Sequence, residues 1–178
     1  MRCLVSFLFL VCLGNCLADA PESSKPKTRC MWIGCSASKS VAGQGLGLKP
    51  DELCVHINLA NLFKDQDPSA QSTLKHAVEV EKVTQIIVCG TYGCPGIQKA
   101  LDTDNLQESW LQSVRELYLK NKAELHAIQD QSARARRLVE LNVLQQVETL
   151  CQHPLCKSIA IIGVVHDPAT NSYTKLRS

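Results

Sequence analysis

The sequence lacks most of the short signatures that would identify a chemistry directly. No C-x-x-C spacing occurs among its ten cysteines, so the spacing does not favour a redox or metal-binding role for them. The glycine-rich run at residues 43–47 lacks the G-K-[ST] ending of a phosphate-binding loop. The net charge is only +2, and we interpret the basic cluster at residues 134–137 as a solvated helix face. Nucleic acid is therefore not an expected partner.

Long apolar segments are absent beyond the first residues of the chain. Residues 4–13 form an apolar run that is too short to span a bilayer, with Arg2 before it and small residues near position 18 after it. This pattern is typical of a secretory signal peptide, so we expect cleavage after residue 18. We then expect a secreted protein that does not enter a membrane, with a flexible leader at 19–28 and one domain at 29–178.

Cysteines are numerous for the domain that remains. Three of the ten fall in the predicted signal peptide, and seven stay in the expected mature chain: Cys30, Cys35, Cys54, Cys89, Cys94, Cys151 and Cys156. A secretory destination is oxidising and favours disulfides. The odd number leaves at least one thiol free or paired between chains.

The apolar patterns predict an α/β domain built on a parallel sheet. Buried or β-branched runs predict strands at residues 29–34, 53–57, 85–89 and 158–166. Helical periodicity predicts helices at residues 68–83, 95–101, 107–120 and 131–150. A glycine-rich loop is expected at 36–49, and a turn with a short tail after the last strand. Strands that alternate with helices favour a parallel sheet.

Two runs stand at the carboxyl ends of predicted strands, where open α/β sheets place their sites. They are GCSASK at residues 34–39 and CGTYGC at residues 89–94. The first resembles the C-x-D-x-R signature of the β-class carbonic anhydrases, and the second resembles their H-x-x-C signature. Cys35 and Cys94 stand at the two cysteine-ligand positions of that family.

The resemblance extends from about residue 27 to about residue 176. In chain order, the matching segments are MWIGCS at 31–36, GLKP at 47–50, NLANL at 58–62, IVCG at 87–90, RLVELNV at 137–143 and GVVHD at 163–167. The resemblance implies the family's α/β fold, a parallel-sheet core flanked by helices. It also implies a shortened form of the N-terminal arm with which family members hold a dimer partner, so the oligomeric state is left open.

Three functional positions of the family pattern have changed. Ala37 stands where the family has aspartate, Lys39 where it has arginine, and Thr91 where it has the ligand histidine. In the family, zinc activates a water, the aspartate accepts a hydrogen bond from that water, and the arginine holds the aspartate. Alanine has no acceptor, a threonine hydroxyl is not an ordinary zinc ligand, and lysine lacks the planar fork of arginine. The resemblance therefore implies a degenerate site without a cofactor.

Substitute ligands could still complete a zinc site. His56, Cys54 and Cys89 are candidates by residue type, although His56 and Cys89 match family positions that are not ligands. With such a site the chain would be a divergent zinc lyase, either a weak carbonic anhydrase or a relative that acts on carbon disulfide or carbonyl sulfide. Gln44 matches a family position in the substrate cleft, and the alternative for it is an exposed loop glutamine.

The resemblance also implies that Cys35 and Cys94 are neighbours, because both would bind one zinc ion. Without metal, in an oxidising compartment, they become candidates for a disulfide that joins two strand ends. Cys151 and Cys156 flank a helix-to-strand turn and are candidates for a second disulfide, or else remain unpaired. The other three cysteines, Cys30, Cys54 and Cys89, are expected in the core.

These expectations combine into one functional hypothesis and one alternative. We expect a secreted, catalytically inactive carbonic anhydrase-like protein that acts by binding, in the manner of a virulence effector directed at a host. Its partner would be a host protein or another carbonic anhydrase that shares the fold. The alternative is the divergent zinc lyase, which requires a bound metal.

Overall fold

The computed structural model describes residues 30–103 and 106–176. The predicted signal peptide and leader lie outside the described residues and stay predictions. Within these residues, five strands form one sheet in the order β2-β1-β3-β4-β5. They are β1 (Cys30–Cys35), β2 (Leu53–Asn58), β3 (Gln85–Thr91), β4 (Ala160–Asp167) and β5 (Ser172–Lys175).

The first four strands are parallel, as the sequence predicts. The register places Cys35 beside Asn58 and Thr91 beside His166. The carboxyl ends of these strands therefore meet along one edge of the sheet, which brings the two motif runs together.

Five helices accompany the sheet among the described residues. They are α1 (Pro68–Lys75), α2 (Pro95–Asp102), α3 (Gln112–Lys120), α4 (Lys122–Ala127) and α5 (Gln131–Gln152). Asp67 caps α1 by accepting from the Ser69 N–H at 2.9 Å, and Asp130 caps α5 by accepting from the Ala133 N–H at 2.6 Å. No helix within the described part of the chain is both long and apolar enough to cross a membrane.

The helices pack on one face of the sheet. The main core lies there, with buried strand residues such as Ile33 and Val88 against buried helix residues such as Leu74, Leu138 and Val143. The opposite face carries a smaller apolar cluster that the glycine-rich loop covers in part: Cys30, Trp32, Ile87, Cys89 and Val164. Buried parallel strands usually have both faces covered. Here the second face is only partly covered.

Three of the predicted elements differ from the structure in detail. The predicted helix at 68–83 ends its α-helical part at Lys75 and continues as a π-helical turn, His76–Val80. The predicted helix at 107–120 starts with a 3₁₀ turn, Ser109–Leu111, before α3. The expected tail after β4 forms β5, which pairs with β4 in the antiparallel direction.

Contacts between distant residues explain why the tail forms a strand. The Tyr173 ring lies 4.7 Å from the His166 ring and 6.3 Å from the Trp32 ring, measured between centroids. Four residues of mixed polarity carry no strong local strand pattern, so β5 depends on the sheet and the ring contacts it meets.

Candidate functional site

A cavity of about 290 Å³ opens at the carboxyl ends of β1 and β3. Apolar side chains of Trp32, Val55 and Ile57 form part of its wall. Ser36, Ser38, Ser40, Cys35, Cys89 and Thr91 supply hydroxyl and thiol groups to the rest of the lining. Among the described residues that line it, none carries a carboxylate or an imidazole.

Cys35, which lines this cavity, lies against Cys94, which does not line it. Their sulfur atoms are 3.3 Å apart, and each residue is only 3% exposed. Cys35 is the last residue of β1, and Cys94 immediately precedes α2, whose first residue is Pro95. Both thiols are free in this structure, and the predicted disulfide between them stays a prediction. The fold does bring the two sulfur atoms into contact.

The two thiols share one hydrogen bond, which shifts their pKa values in opposite directions. The Cys94 thiol and the Ala37 N–H, 3.4 Å from the sulfur, lower the pKa of Cys35, although burial opposes them. The hydrogen bond to Cys35 and burial raise the pKa of Cys94. The physical cause is that the Cys94 S–H stabilises the Cys35 thiolate by donating to it. Removing the Cys94 proton would break this hydrogen bond, so that proton is lost less easily.

The three altered family positions are divided between the cavity and the surface. Thr91 ends β3, lines the cavity and is 4% exposed. Its Oγ1 is buried without a hydrogen-bond partner among the described residues. Ala37 and Lys39 are exposed and do not line the cavity. The predicted loss of the aspartate-arginine pair therefore leaves solvent-facing side chains at these two positions.

The donor set does not fit a zinc ion held by three protein ligands. Within residues 30–103 and 106–176, no group of three or more His, Cys, Asp or Glu side chains is arranged to hold a metal. Cys35 and Cys94 supply two thiols, and the third family position offers only the Thr91 hydroxyl. A catalytic zinc site ordinarily has three nitrogen, sulfur or carboxylate ligands from the protein.

The proposed substitute ligands do not gather around the two thiols. His56 lies beside Ile33 in the register, is 7% exposed and has its Nε2 3.1 Å from Asn58 Nδ2. Cys54 is half-buried and packs against the main core. Cys89 does line the cavity, but its thiol donates to the Gly90 carbonyl at 3.3 Å and burial raises its pKa to about 12.

The other predicted site residues lie apart from the cavity. Gln44 is exposed in the 3₁₀ turn Gln44–Leu46 and does not line the cavity within this chain. Cys151 is exposed at the end of α5, whereas Cys156 is buried in the following 3₁₀ turn. Burial raises the pKa of Cys156 to about 11. Both thiols are free, and their disulfide also stays a prediction.

No sequence pattern identifies His166 and Tyr173 as site residues, but Tyr173 contacts both His166 and Trp32 of the cavity wall. His166 is 3% exposed, and its Nε2 lies 3.1 Å from Asn171 Oδ1. His166 Nδ1 and the Tyr173 hydroxyl are buried without a hydrogen-bond partner in the described chain, like Thr91 Oγ1. Strand alternation could have placed His166 on the same face as Thr91, because the two residues pair across β3 and β4.

The sequence and the fold both match known proteins. A family model described as "Carbonic anhydrase" matches residues 30–172, which include both cysteine runs. The chain belongs to the β-carbonic anhydrase family. The predicted family and fold class are therefore confirmed.

Curated fungal relatives cover most of this chain. A carbonic anhydrase of Emericella nidulans is 40% identical over 137 residues, which are 76% of this chain and 56% of the relative. A carbonic anhydrase of Candida albicans is 36% identical over 168 residues, which are 88% of this chain and 59% of the relative. This chain therefore spans less than two thirds of the length of these relatives.

Solved β-carbonic anhydrases share the fold. A structure from Sordaria macrospora, described as tetrameric, has a TM-score of 0.81 at 27% identity and covers 88% of this chain and 84% of its own. The wild-type enzyme CafD of Aspergillus fumigatus has a TM-score of 0.76 at 32% identity and covers 89% of this chain and 94% of its own. The likeness extends over the whole described domain.

Proposed function

We propose that this chain is a secreted member of the β-carbonic anhydrase family that binds a protein partner and does not hydrate carbon dioxide. The observation that carries the proposal is the cavity at the strand ends. There Cys35 lies against Cys94, and Thr91 has a hydroxyl without a hydrogen-bond partner among the described residues, where hydration chemistry needs three zinc ligands and a carboxylate.

The chemistry of hydration explains why this change matters. A zinc ion makes a nucleophile by lowering the pKa of a bound water, and a neighbouring carboxylate orients that water. A cavity wall of serines, thiols and apolar groups has no cation to lower that pKa. Neither Ala37 nor Thr91 can accept a proton at neutral pH.

The surface next to the cavity supports a binding role. Val55 and Ile57 on β2 are 44% and 46% exposed, and Val41 in the glycine-rich loop is 55% exposed. β2 is an edge strand, since only β1 pairs with it. An exposed apolar patch beside an unpaired strand edge is typical of a protein-binding surface.

We commit to a partner that shares this fold, another carbonic anhydrase, which for a secreted effector would belong to a host. The Sordaria relative is described as tetrameric, so chains of this fold do associate with each other. A binding protein that keeps the fold and loses the metal site could then occupy a partner's interface without adding a working site. An unrelated host protein is the other outcome of the test.

One measurement tests the loss of zinc chemistry directly. Protein purified without chelator is analysed for zinc per chain and assayed for carbon dioxide hydration. We expect substoichiometric zinc and no activity above the uncatalysed rate. Stoichiometric zinc with hydration would overturn the proposal and establish the divergent zinc lyase.

A second experiment tests the binding surface. The chain is mixed with a zinc-containing β-carbonic anhydrase, and the masses of the complexes are measured by light scattering after size exclusion. We expect a mixed complex that Ile57→Glu abolishes and Leu119→Glu preserves, because Leu119 is also about half exposed but lies on α3. Failure to bind the carbonic anhydrase would contradict the proposed partner. Binding of an unrelated host protein through the same surface would identify that protein as the partner instead.

The divergent zinc lyase is favoured by one observation. The two family thiols stay in contact beside an open cavity, and the curated relatives are named carbonic anhydrases. A ligand from outside the described residues or from a second chain would have to complete such a site. The zinc measurement distinguishes this function from the first.

A further inference from the structure

The two adjacent thiols differ in their access to the cavity. Both belong to the main core, but Cys35 lines the cavity and Cys94 does not. Their sulfur atoms are 3.3 Å apart, compared with about 2.05 Å in a disulfide. Closing this gap requires a movement of little more than about 1 Å, so the reduced pair is already arranged for oxidation.

We propose that Cys35 and Cys94 form a reversible redox pair that a small hydroperoxide oxidises through the cavity. Cys35 is the sulfur that reacts with the peroxide, and Cys94 is the resolving thiol. The pair goes beyond the proposed binding function, and it needs no metal. The fifty-nine positions that separate the two residues in sequence explain why no C-x-x-C pattern reveals it.

The chemistry proceeds in two steps. The Cys35 thiolate attacks one oxygen of hydrogen peroxide, the O–O bond breaks, and the products are a Cys35 sulfenic acid and hydroxide. The Cys94 sulfur then attacks the Cys35 sulfur, an S–S bond forms, and the S–O bond breaks. The Cys94 proton and the departing hydroxyl leave as water. An external dithiol reverses the change by thiol-disulfide exchange and becomes a disulfide itself.

The Thr91 hydroxyl supplies an independent sign of a small polar ligand. Thr91 lines the same cavity, is 4% exposed, and its Oγ1 has no hydrogen-bond partner among the described residues. A buried hydroxyl ordinarily has a partner. A peroxide that approaches Cys35 would supply one, because each of its oxygens can donate and accept. Thr91 is therefore the residue that positions the peroxide.

The dimensions of the site limit the oxidant to a small molecule. The cavity is about 290 Å³, and Cys35 is only 3% exposed. Hydrogen peroxide fits this cavity, whereas the low exposure of Cys35 keeps a bulky alkyl hydroperoxide or a protein disulfide away from its sulfur. Ser36 and Ser38 are the nearest polar side chains in sequence to Cys35 that also line the cavity.

The first test identifies the atoms that react. Reduced protein of measured zinc content is treated with hydrogen peroxide and analysed by non-reducing peptide mapping. We expect a Cys35–Cys94 disulfide, and we expect Cys94→Ser to accumulate a Cys35 sulfenic acid that a dimedone reagent labels. Cys89 is the internal control, since it lines the same cavity but donates its S–H to Gly90. Oxidation of Cys89 in preference to Cys35 would overturn the proposal.

The second test concerns Thr91. We expect Thr91→Val, which keeps the shape and removes the hydroxyl, to slow oxidation of Cys35 by hydrogen peroxide about tenfold, the scale of one hydrogen bond in a transition state. Thr73→Val on α1, which does not line the cavity, is the control and should leave the rate unchanged. A Thr91→Val rate equal to that of the wild type would remove Thr91 from the proposal.

The third test separates this pair from a permanent disulfide and from the proposed function. We expect dithiothreitol to restore both thiols of the folded oxidised protein. A disulfide that is reduced only after unfolding would show a structural link and overturn reversibility. Zinc found in the starting protein contradicts the proposed function, whereas metal-free protein that leaves Cys35 unoxidised contradicts this inference alone.

Discussion

Asn142 on α5 donates a hydrogen bond of 2.9 Å to the carbonyl oxygen of Ala60, eighty-two residues earlier in the chain. Ala60 has a φ of 67°, a left-handed conformation that a residue with a Cβ rarely adopts. One turn along α5, Gln146 accepts from the Phe63 N–H at 2.9 Å and donates to Asn142 at 3.2 Å. Helix α5 thus holds the turn that follows β2 through two side chains.

Replacing Asn142 with alanine tests this connection. The change leaves the buried Ala60 carbonyl and the Gln146 amide without their partner, so we expect a loss of about 1–3 kcal/mol in the free energy of unfolding. Chemical denaturation followed by circular dichroism measures it. Glu148→Ala on the exposed side of the same helix is the control and should change stability by less than about 0.5 kcal/mol. An equal effect of the two changes would contradict the role of Asn142.

Gly90 in β3 tests the packing of α5 on the sheet. A Cβ at this position would lie 2.6 Å from Val143 Cγ2 and 2.9 Å from Val139 Cγ1. We expect Gly90→Ala to destabilise the fold by about 1–3 kcal/mol because the buried valines must move. In the double variant with Val143→Ala, the combined loss should be smaller than the sum of the single losses. Additive losses would show that the new Cβ at position 90 does not clash with the Val143 side chain.

Lys82 follows the π-helical turn after α1 and has a left-handed backbone conformation, so its replacement tests the cost of that conformation. Its φ is 55°, whereas Lys75 in the same helical segment has a φ of −59°. We expect Lys82→Gly to raise the unfolding free energy by up to about 1 kcal/mol, because glycine adopts positive φ without a penalty. The matched change Lys75→Gly should lower it by about 1 kcal/mol. Thermal and chemical denaturation of both variants measure the opposite signs.

Tyr92 provides a prediction at alkaline pH. Burial and the 2.8 Å hydrogen bond that its hydroxyl donates to Glu140 raise the pKa of Tyr92 to about 12, above the ordinary value of about 10. The stabilisation linked to this shift is therefore complete below about pH 10 and is lost as the pH rises through about 12. Absorbance titration should show a late tyrosinate signal that Tyr92→Phe removes. Glu140→Gln should lower the pKa of Tyr92, and an unchanged late signal in that variant would contradict the assignment.

Restoring the family residues tests the interpretation of the site. We expect Thr91→His combined with Ala37→Asp and Lys39→Arg to bind zinc, because the variant regains three protein ligands and the groups that orient a bound water. Thr91→His alone should bind zinc or hydrate carbon dioxide about 10–100-fold less well than the triple variant. Zinc competition titration measures the affinities, with Thr103→His as a control away from the cavity. A wild-type affinity equal to that of the triple variant would show that the native chain has its own complete site.

The sequence predicted the sheet more reliably than its surroundings. Apolar runs identified β1 to β4, and β1 and β3 show the pattern most clearly because nearly every residue in them is buried. The inner face of the helix predicted at 68–83 was also identified, since Leu74 of α1 and Ala77 of the following π-helical turn are fully buried and Val78 packs against the core. The short helix α4 and the strand β5 were missed, since neither carries enough local pattern to be distinguished from a loop.

The location of the site and its two cysteines were predicted, but the contacts of its side chains were not. The resemblance placed Cys35 and Cys94 together, and the rule that parallel strands end at one edge gave the location. Neither source could indicate that Thr91 Oγ1 has no hydrogen-bond partner within residues 30–103 and 106–176, or that Cys89 lines the cavity while His56 lies beside Ile33. Such facts depend on side-chain directions and on neighbours from distant parts of the chain.

By itself, the sequence determined the family, the positions of the four parallel strands along the chain and the residue types Ala37, Lys39 and Thr91 beside the two cysteines, because these are properties of residue type and spacing. The tertiary structure alone decided which groups meet. It placed two sulfur atoms in contact, left the Thr91 hydroxyl of the same cavity without a hydrogen-bond partner among the described residues, and exposed Val55 and Ile57 on an edge strand. Contacts between residues far apart in sequence depend on how strands and helices pack, and that packing is what brings Cys35 and Cys94 into contact.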